Sequence, residues 1–255
     1  MRIYMIRHGE TEWNKLGRLQ GRTDIPLNET GRELARRVGY ALRDIPFSRA
    51  ISSPLSRAVE TARLVLEGQK DQAVLQPGSN SRENGDREMA LSKGGSGEIL
   101  EVVTDERLQE MSFGVYEGYT AASNHFPATP GYPTPDAEFH NFFDEPARYH
   151  APQGGESFEQ LLARTRDFLE ELAAMNGEDE TKDVLKKDGT HRIVKKQENW
   201  LISAHGATSR ALLANIKGTS LEDFWKQGVP KNCSVSIAET ENGEWRLLKQ
   251  DVIYY

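Results

Sequence analysis

Short apolar runs that end in polar residues alternate along this chain with stretches whose apolar residues recur at helical spacing. "IYMI" (Ile3 to Ile6), "SRAISS" (Ser48 to Ser53) and "WLISA" (Trp200 to Ala204) read as strands, and "EILEVVTDERL" returns to strand after a polar interval. Between the first two, Asn28 reads as the N-cap of a helix carrying Leu34, Ala35, Val38, Ala41 and Leu42 on one stripe, with Pro46 beyond its end. Pro54 is expected in the first turn of a second helix through Ala58, Ala62 and Leu66. A third runs from Ser157 to Met175, a fourth covers "TSRALLANIKG", and "LEDFWKQG" suggests a further short helix. "CSVSIAET" with "EWRLLKQDV" makes a closing hairpin. Alternation of this kind predicts an α/β fold. We expect one domain over 1–255, a three-layer αβα sandwich around an open, mostly parallel mixed sheet, with a lid-like insertion.

Three intervals fall outside the alternation. Residues 68–98 are polar, rich in Gly, Ser and Asn, and without periodicity, as expected of a loop insertion. Residues 118–154 are rich in Pro and aromatics, with a short helix expected near "AEFHNFFDE", and read as a lid or substrate-specificity region. The charged stretch after Met175 suggests a hairpin.

The chain has 255 residues, 37% of them hydrophobic and 28% charged, and no apolar stretch as long as a membrane span. The first strand begins at once, leaving no room for a signal peptide, and the single cysteine, Cys233, excludes an intrachain disulfide framework. A cytoplasmic setting is expected. The net charge of −7 argues against nucleic acid or an anionic membrane as partner, yet allows a small anionic substrate in a locally basic pocket.

Ligands in open α/β sheets bind beyond the carboxyl ends of the parallel strands. Three of the expected strands end in residues able to do chemistry: Arg7-His8-Gly9, Ser52-Ser53 with Arg57 beyond, and His205-Gly206. A histidine at a strand end is by itself more often a structural hydrogen-bonder than a nucleophile. Here each is followed by a glycine, which lets backbone approach a ligand, and a helix opens nearby to offer unpaired N–H groups to an anion. Arg7 and Arg57 add permanent charge in a fork that suits phosphoryl oxygens. The bland alternative for Arg57 is a solvated helix arginine paired with Glu60 or Glu33.

"RHGETEWN", "GRLQGRTDIPLNETG", "SSPLSRAVETA", "DERLQEMSFGVYEG" and "ISAHGATSRAL", in that order, resemble the histidine phosphatase superfamily in its phosphoglycerate mutase-like branch. The resemblance implies that His8 is a nucleophile that becomes a phosphohistidine. It further implies that Arg7, Arg57 and His205 bind the transferring phosphoryl group and that Glu110 is the proton donor. Asn14, Gln20, Gly21 and the N–H of Gly206 would line the same pocket. No metal or other cofactor is expected, because arginine and histidine supply the charge that a cation would otherwise bring. A metal centre built from His8, Glu10 and His205 fits no familiar ligand spacing and would place its cation beside an arginine.

Mutase members of the family resemble "ERHYG" at the Glu110 block, whereas this chain reads "EMSFG". Met111 and Ser112 thus stand where those mutases have Arg and His. The expectation is a metal-independent phosphomonoesterase for small phosphorylated metabolites. A cofactor-dependent phosphoglycerate mutase and a non-catalytic phosphoryl-binding protein are the alternatives.

Overall fold

The computed structural model describes residues 1–70, 100–120, 128–175, 181–185, 191–195 and 197–255. Most of the expected 68–98 insertion lies outside them, as do residues 121–127 of the expected 118–154 region. In chain order the strands and α-helices are β1 (Arg2–Arg7), α1 (Glu12–Lys15), α2 (Glu29–Ala41), β2 (Arg49–Ser52), α3 (Ser56–Gly68), β3 (Val102–Thr104), α4 (Asn141–Asp144), α5 (Phe158–Met175), β4 (Thr181–Leu185), β5 (His191–Lys195), β6 (Asn199–Ala204), α6 (Gly206–Lys217), β7 (Val235–Glu241) and β8 (Glu244–Val252). The charged stretch after Met175 does contain a hairpin, the antiparallel pair β4–β5.

Six strands form one sheet in the order β3-β2-β6-β1-β7-β8. The first four are mutually parallel, and β7 then runs antiparallel beside β1 and pairs with β8. The side-chain period of two divides β1 between two cores. Tyr4 and Ile6 meet Ala35, Val38, Ala62 and Val65 of α2 and α3 on one face. Ile3 and Met5 meet Phe168, Leu169, Leu172, Leu212 and Leu213 of α5 and α6 on the other. Every residue of β6 is buried, as befits a strand covered on both faces.

Helix boundaries follow local chemistry. The Asn28 side chain accepts the Gly31 N–H at 2.8 Å and opens α2. Pro54 does not occupy the first turn of α3. The helix begins at Ser56, and its first donor is capped from outside, Ser56 N–H bonding both Asp24 carboxylate oxygens at 3.0 Å. Leu221 to Gly228 is a chain of turns rather than a helix. Its bonds skip three residues, Phe224 N–H to Leu221 and Gly228 N–H to Trp225, and Gly228 ends it at φ +65°. Eight residues repay helix nucleation poorly, and Phe224 and Trp225 are drawn instead into a neighbouring aromatic cluster.

That cluster makes a third core over the amino-terminal half of α6. Phe142 is its centre, 5.2 Å from the rings of Phe113 and Phe158 and 5.3 Å from Tyr149 and Trp225. The expected helix near "AEFHNFFDE" is present as a 3₁₀ turn (Ala137–His140) leading into α4.

Helices α2 and α3 touch through glycines. A Cβ on Gly39 would lie 2.2 Å from the Val65 carbonyl oxygen, and one on Gly68 2.3 Å from that of Arg36. Gly39→Ala should therefore lower stability by about 1–3 kcal/mol through overpacking, although alanine favours a helix by about 1 kcal/mol. Urea denaturation measures this, and a stabilised variant would contradict the close approach.

Candidate active site

The site is set by strand register. In the parallel pair β1–β6, Arg7 lies opposite Ala204, so the next residues, His8 and His205, leave the sheet side by side. The His8 N–H bonds the Ala204 carbonyl at 2.9 Å, and the two imidazole rings stand 5.1 Å apart. On the other flank of β6, Ser52 pairs with Ser203, which brings Ser53 against His205. The Ser53 hydroxyl lies 2.7 Å from His205 Nε2.

Both histidines are buried and neutral. His8 Nδ1 lies 2.7 Å from the Gly9 carbonyl oxygen, an atom that only accepts, so Nδ1 carries the proton and Nε2 keeps a lone pair. Burial holds His8 well below its ordinary range, with the Arg57 and Arg7 cations adding to the effect. Burial likewise lowers His205, followed by Arg57 and His8. Among the described residues, His205 Nδ1 has no hydrogen-bond partner.

Arg57 is wholly buried, which rules out the solvated arginine. Its Nη2 donates to the Gly21 carbonyl at 2.6 Å and its Nη1 to that of Thr23 at 3.0 Å, with Asp24 at 3.7 Å. Burial lowers its pKa to about 10 against the pull of Glu110 and Asp24, so it remains a cation at neutral pH. The loop that holds it is pinned by Glu117, whose carboxylate accepts the Arg22 and Thr23 N–H groups at 2.7 and 2.6 Å. Glu60 pairs with Arg32 instead, at 2.7 Å. Arg7 donates to the Pro230 carbonyl and presents a side to the cavity.

Glu110 is buried at the amino end of α6. Its Oε1 accepts the Met111 N–H at 2.9 Å and the Thr208 N–H and hydroxyl at 3.1 Å, while among the described residues Oε2 accepts only the Ala207 N–H, at 3.1 Å. Oε2 thus retains a lone pair. Gly206, at the first position of α6, has an N–H without an intrahelical acceptor, and a Cβ there would come within 3.5 Å of Glu110 Oε2 and 3.9 Å of Arg7 Cζ.

A cavity of about 670 Å³ opens over these groups. Arg7, His8, Asn14, Gln20, Glu110 and Gly206 line it, while Arg57 and His205 are fully buried and are not part of its lining. Gly21 reaches the site only through its carbonyl on Arg57. Gln20 accepts the Thr11 hydroxyl at 2.5 Å, and among the described residues its Nε2 has no hydrogen-bond partner. Glu10 accepts from Asn28 at 2.8 Å. Gly9 is needed for a different reason than room for a ligand. A Cβ on it would meet the Gly31 carbonyl at 2.5 Å, so its role is to let α2 close on the β1 loop.

Ser53, expected at its strand end, supports His205, and outside the expected set stand Thr61, which accepts the Gly9 N–H at 2.9 Å, and Thr208 on Glu110. Thr61 and Thr208 sit inside the motif blocks, where position alone could have flagged them. Asn232 carries no such signal and bonds the backbone on both sides of Gly9. Met111 is completely buried in the aromatic core, and the Ser112 hydroxyl is spent on the Gly154 carbonyl at 2.8 Å.

The family model of the histidine phosphatase superfamily (branch 1) matches residues 3–93, 87–185 and 187–252. The chain belongs to this superfamily. Among named relatives, a 2,3-bisphosphoglycerate-dependent phosphoglycerate mutase 2 of Gloeobacter violaceus is 29% identical, over 94% of this chain and 87% of its own. Phosphoserine phosphatase 1 of Hydrogenobacter thermophilus is 25% identical over 99% and 92%. A solved mycobacterial glucosyl-3-phosphoglycerate phosphatase superposes with a TM-score of 0.65 at 25% identity, covering 98% of both chains. Superfamily relatives of this chain thus include both phosphatases and mutases. Among the described residues, no helix is long and apolar enough to cross a membrane.

The buried histidines make stability depend on pH. Their folded values lie below the unfolded value of 6.5, so below that pH the unfolded chain binds more protons than the folded one. The stability they allow is complete above about pH 6.5 and declines on acidification, by at most about 1.4 kcal/mol per pH unit for each histidine. The urea midpoint should fall between pH 7 and 5.5, and His205→Asn should flatten that slope. A midpoint that holds or rises would contradict the neutral pair.

Proposed function

We propose that this protein is a metal-independent phosphomonoesterase that works through a phosphohistidine on His8. The observation that carries this reading is the His8 ring. Its Nδ1–H is tied to Gly9, leaving Nε2 with its lone pair, and the ring lines the cavity 5.1 Å from the His205 ring and within the field of Arg57 and Arg7.

Nε2 attacks the phosphorus of a bound monoester, forming a P–N bond as the ester P–O bond breaks. Arg7, Arg57 and His205 stabilise the negative charge spread over the three phosphoryl oxygens. His205 is suited to donate, since the Ser53 hydroxyl can satisfy Nε2 and leave the proton on the unpartnered Nδ1. Glu110 enters this step as the carboxylic acid, its proton on Oε2, the less engaged oxygen, and gives that proton to the leaving alkoxide to become the carboxylate. Water then attacks the phosphohistidine and gives a proton to the same carboxylate. The P–N bond breaks, inorganic phosphate leaves, and the starting protonation state returns.

Hydrolysis is favoured over mutase transfer because the two positions after Glu110 offer no cation to a second anionic group of the substrate. Met111 is enclosed in the core and Ser112 is engaged with Gly154. The described part of 118–154 instead supplies an apolar wall. Phe142 and Phe143 line the cavity together with Phe113 and Trp225, while Phe139 and Tyr149 support the wall from within. Such a wall suits a small phosphorylated metabolite whose leaving group carries a ring or other apolar surface.

A labelled monoester should leave acid-labile phosphate on the wild-type protein and none on His8→Ala, whose turnover should fall by at least about 10⁴-fold. Normal turnover by that variant would remove the mechanism. Glu110→Gln should lose about 10²–10⁴-fold on alkyl monoesters and far less on p-nitrophenyl phosphate, whose leaving group needs no proton. Across a substrate panel, kcat/KM should favour aryl and nucleoside monophosphates over bisphosphoglycerate, with mutase activity absent. The reverse order would discard the apolar wall as a selector.

A further inference from the structure

The segment from Pro230 to Ser234 crosses the end of β1 before β7 begins. Its backbone is tied there by Cys233 N–H to the Arg7 carbonyl at 3.0 Å and by Arg7 N–H to the Ser234 carbonyl at 3.2 Å. Ser234 N–H closes a turn on the Lys231 carbonyl at 3.0 Å. Within the turn Cys233 has φ +56°, a conformation that residues other than glycine seldom adopt. Asn232, just before it, directs its side chain at the β1 loop.

The Asn232 Nδ2 lies 3.0 Å from the His8 carbonyl oxygen, 3.2 Å from that of Gly9 and 3.1 Å from Asn14 Oδ1. All three are acceptors. The Asn14 oxygen is identified by the Thr11 N–H that donates to it at 3.2 Å. The amide orientation of Asn232 is therefore decided by its surroundings, because its own oxygen could not face those atoms. The Gly9 carbonyl is the same atom that receives His8 Nδ1–H. On the far side of the preceding peptide, Gly9 N–H donates to Thr61.

We propose that Asn232 is a positioning residue for His8, holding the two peptide groups around Gly9 so that the Gly9 carbonyl stays aimed at Nδ1 and Nε2 faces the cavity. The proposal rests on the reading of His8 as the attacking group. Asn232 contributes nothing to the bonds that form or break. It acts by setting which ring nitrogen carries the proton and where the other one points.

Two variants separate this from a purely structural tie. Asn232→Asp keeps the shape but sets a carboxylate oxygen against three acceptors, and Asn232→Ala removes the donor without adding charge. In the free protein labelled with ¹⁵N-histidine, the wild type should show His8 as the Nδ1–H tautomer. Both variants should show a population of the Nε2–H form. Their kcat should fall by about 10- to 100-fold with KM changed by less than about threefold, as for a displaced reacting group. If the aspartate variant does not fold, the alanine variant carries both readouts. An unchanged tautomer in the variants, or a kcat within about threefold of wild type, overturns the proposal. The tautomer is read without substrate, so a failure to trap phosphohistidine in the wild type would count against the catalytic reading of His8 and leave this measurement standing.

Discussion

The parallel pairing of β1 with β6 is the constraint on which the site depends. Both strands are central and covered on both faces, so sliding one by a residue would exchange the side chains presented to its two differently shaped cores. Because Arg7 lies opposite Ala204, the two imidazoles emerge together, and the neighbouring strand β2 delivers Ser53 to one of them. Hydrophobic burial thereby places polar groups that would be costly to hold by their own interactions.

Keeping two imidazoles, two guanidinium groups and a carboxylate together under a cavity poses an electrostatic problem, and the fold solves it by division. The histidines are neutral, through burial and nearby cations. Arg57 keeps its charge by donating to carbonyls of a loop that Glu117 and Asp24 hold in place. Glu110 sits on the backbone donors at the start of α6. Among the described residues, Arg7 Nε, Arg57 Nε, His205 Nδ1 and Gln20 Nε2 are buried without hydrogen-bond partners, a state in which buried polar groups are rarely left.

Much of this was legible in one dimension. Alternating apolar runs and amphipathic stretches carry the layered sheet, and the strand-end residues Arg7, His8, Arg57 and His205 could be picked out because such sheets present ligands at their carboxyl edge. The misreadings were local. Pro54 precedes α3 by two residues because Asp24, distant in sequence, supplies the cap. Leu221 to Gly228 gave way to turns because Phe224 and Trp225 gain more from the aromatic cluster. Gly9 serves helix packing against the β1 loop, a close approach that no spacing rule announces.

The sequence by itself determined the layer architecture, the motif residues and the absence of Arg and His after Glu110, since each follows from residue type and order along the chain. Only the tertiary structure decided the proton on His8 Nδ1, the more and less engaged oxygens of Glu110, and the bonds of Asn232 to both sides of Gly9. Some of the bonds involved are local, His8 to Gly9 and Glu110 to Met111, but those from Ala207 and Thr208 to Glu110 and from Asn232 to the β1 loop join residues about a hundred or more positions apart. Their partners are brought together by strand register and core packing, which no stretch of the chain contains alone. The opening run of strand and Arg-His-Gly names the groups, and their neighbours in space set their protonation and aim.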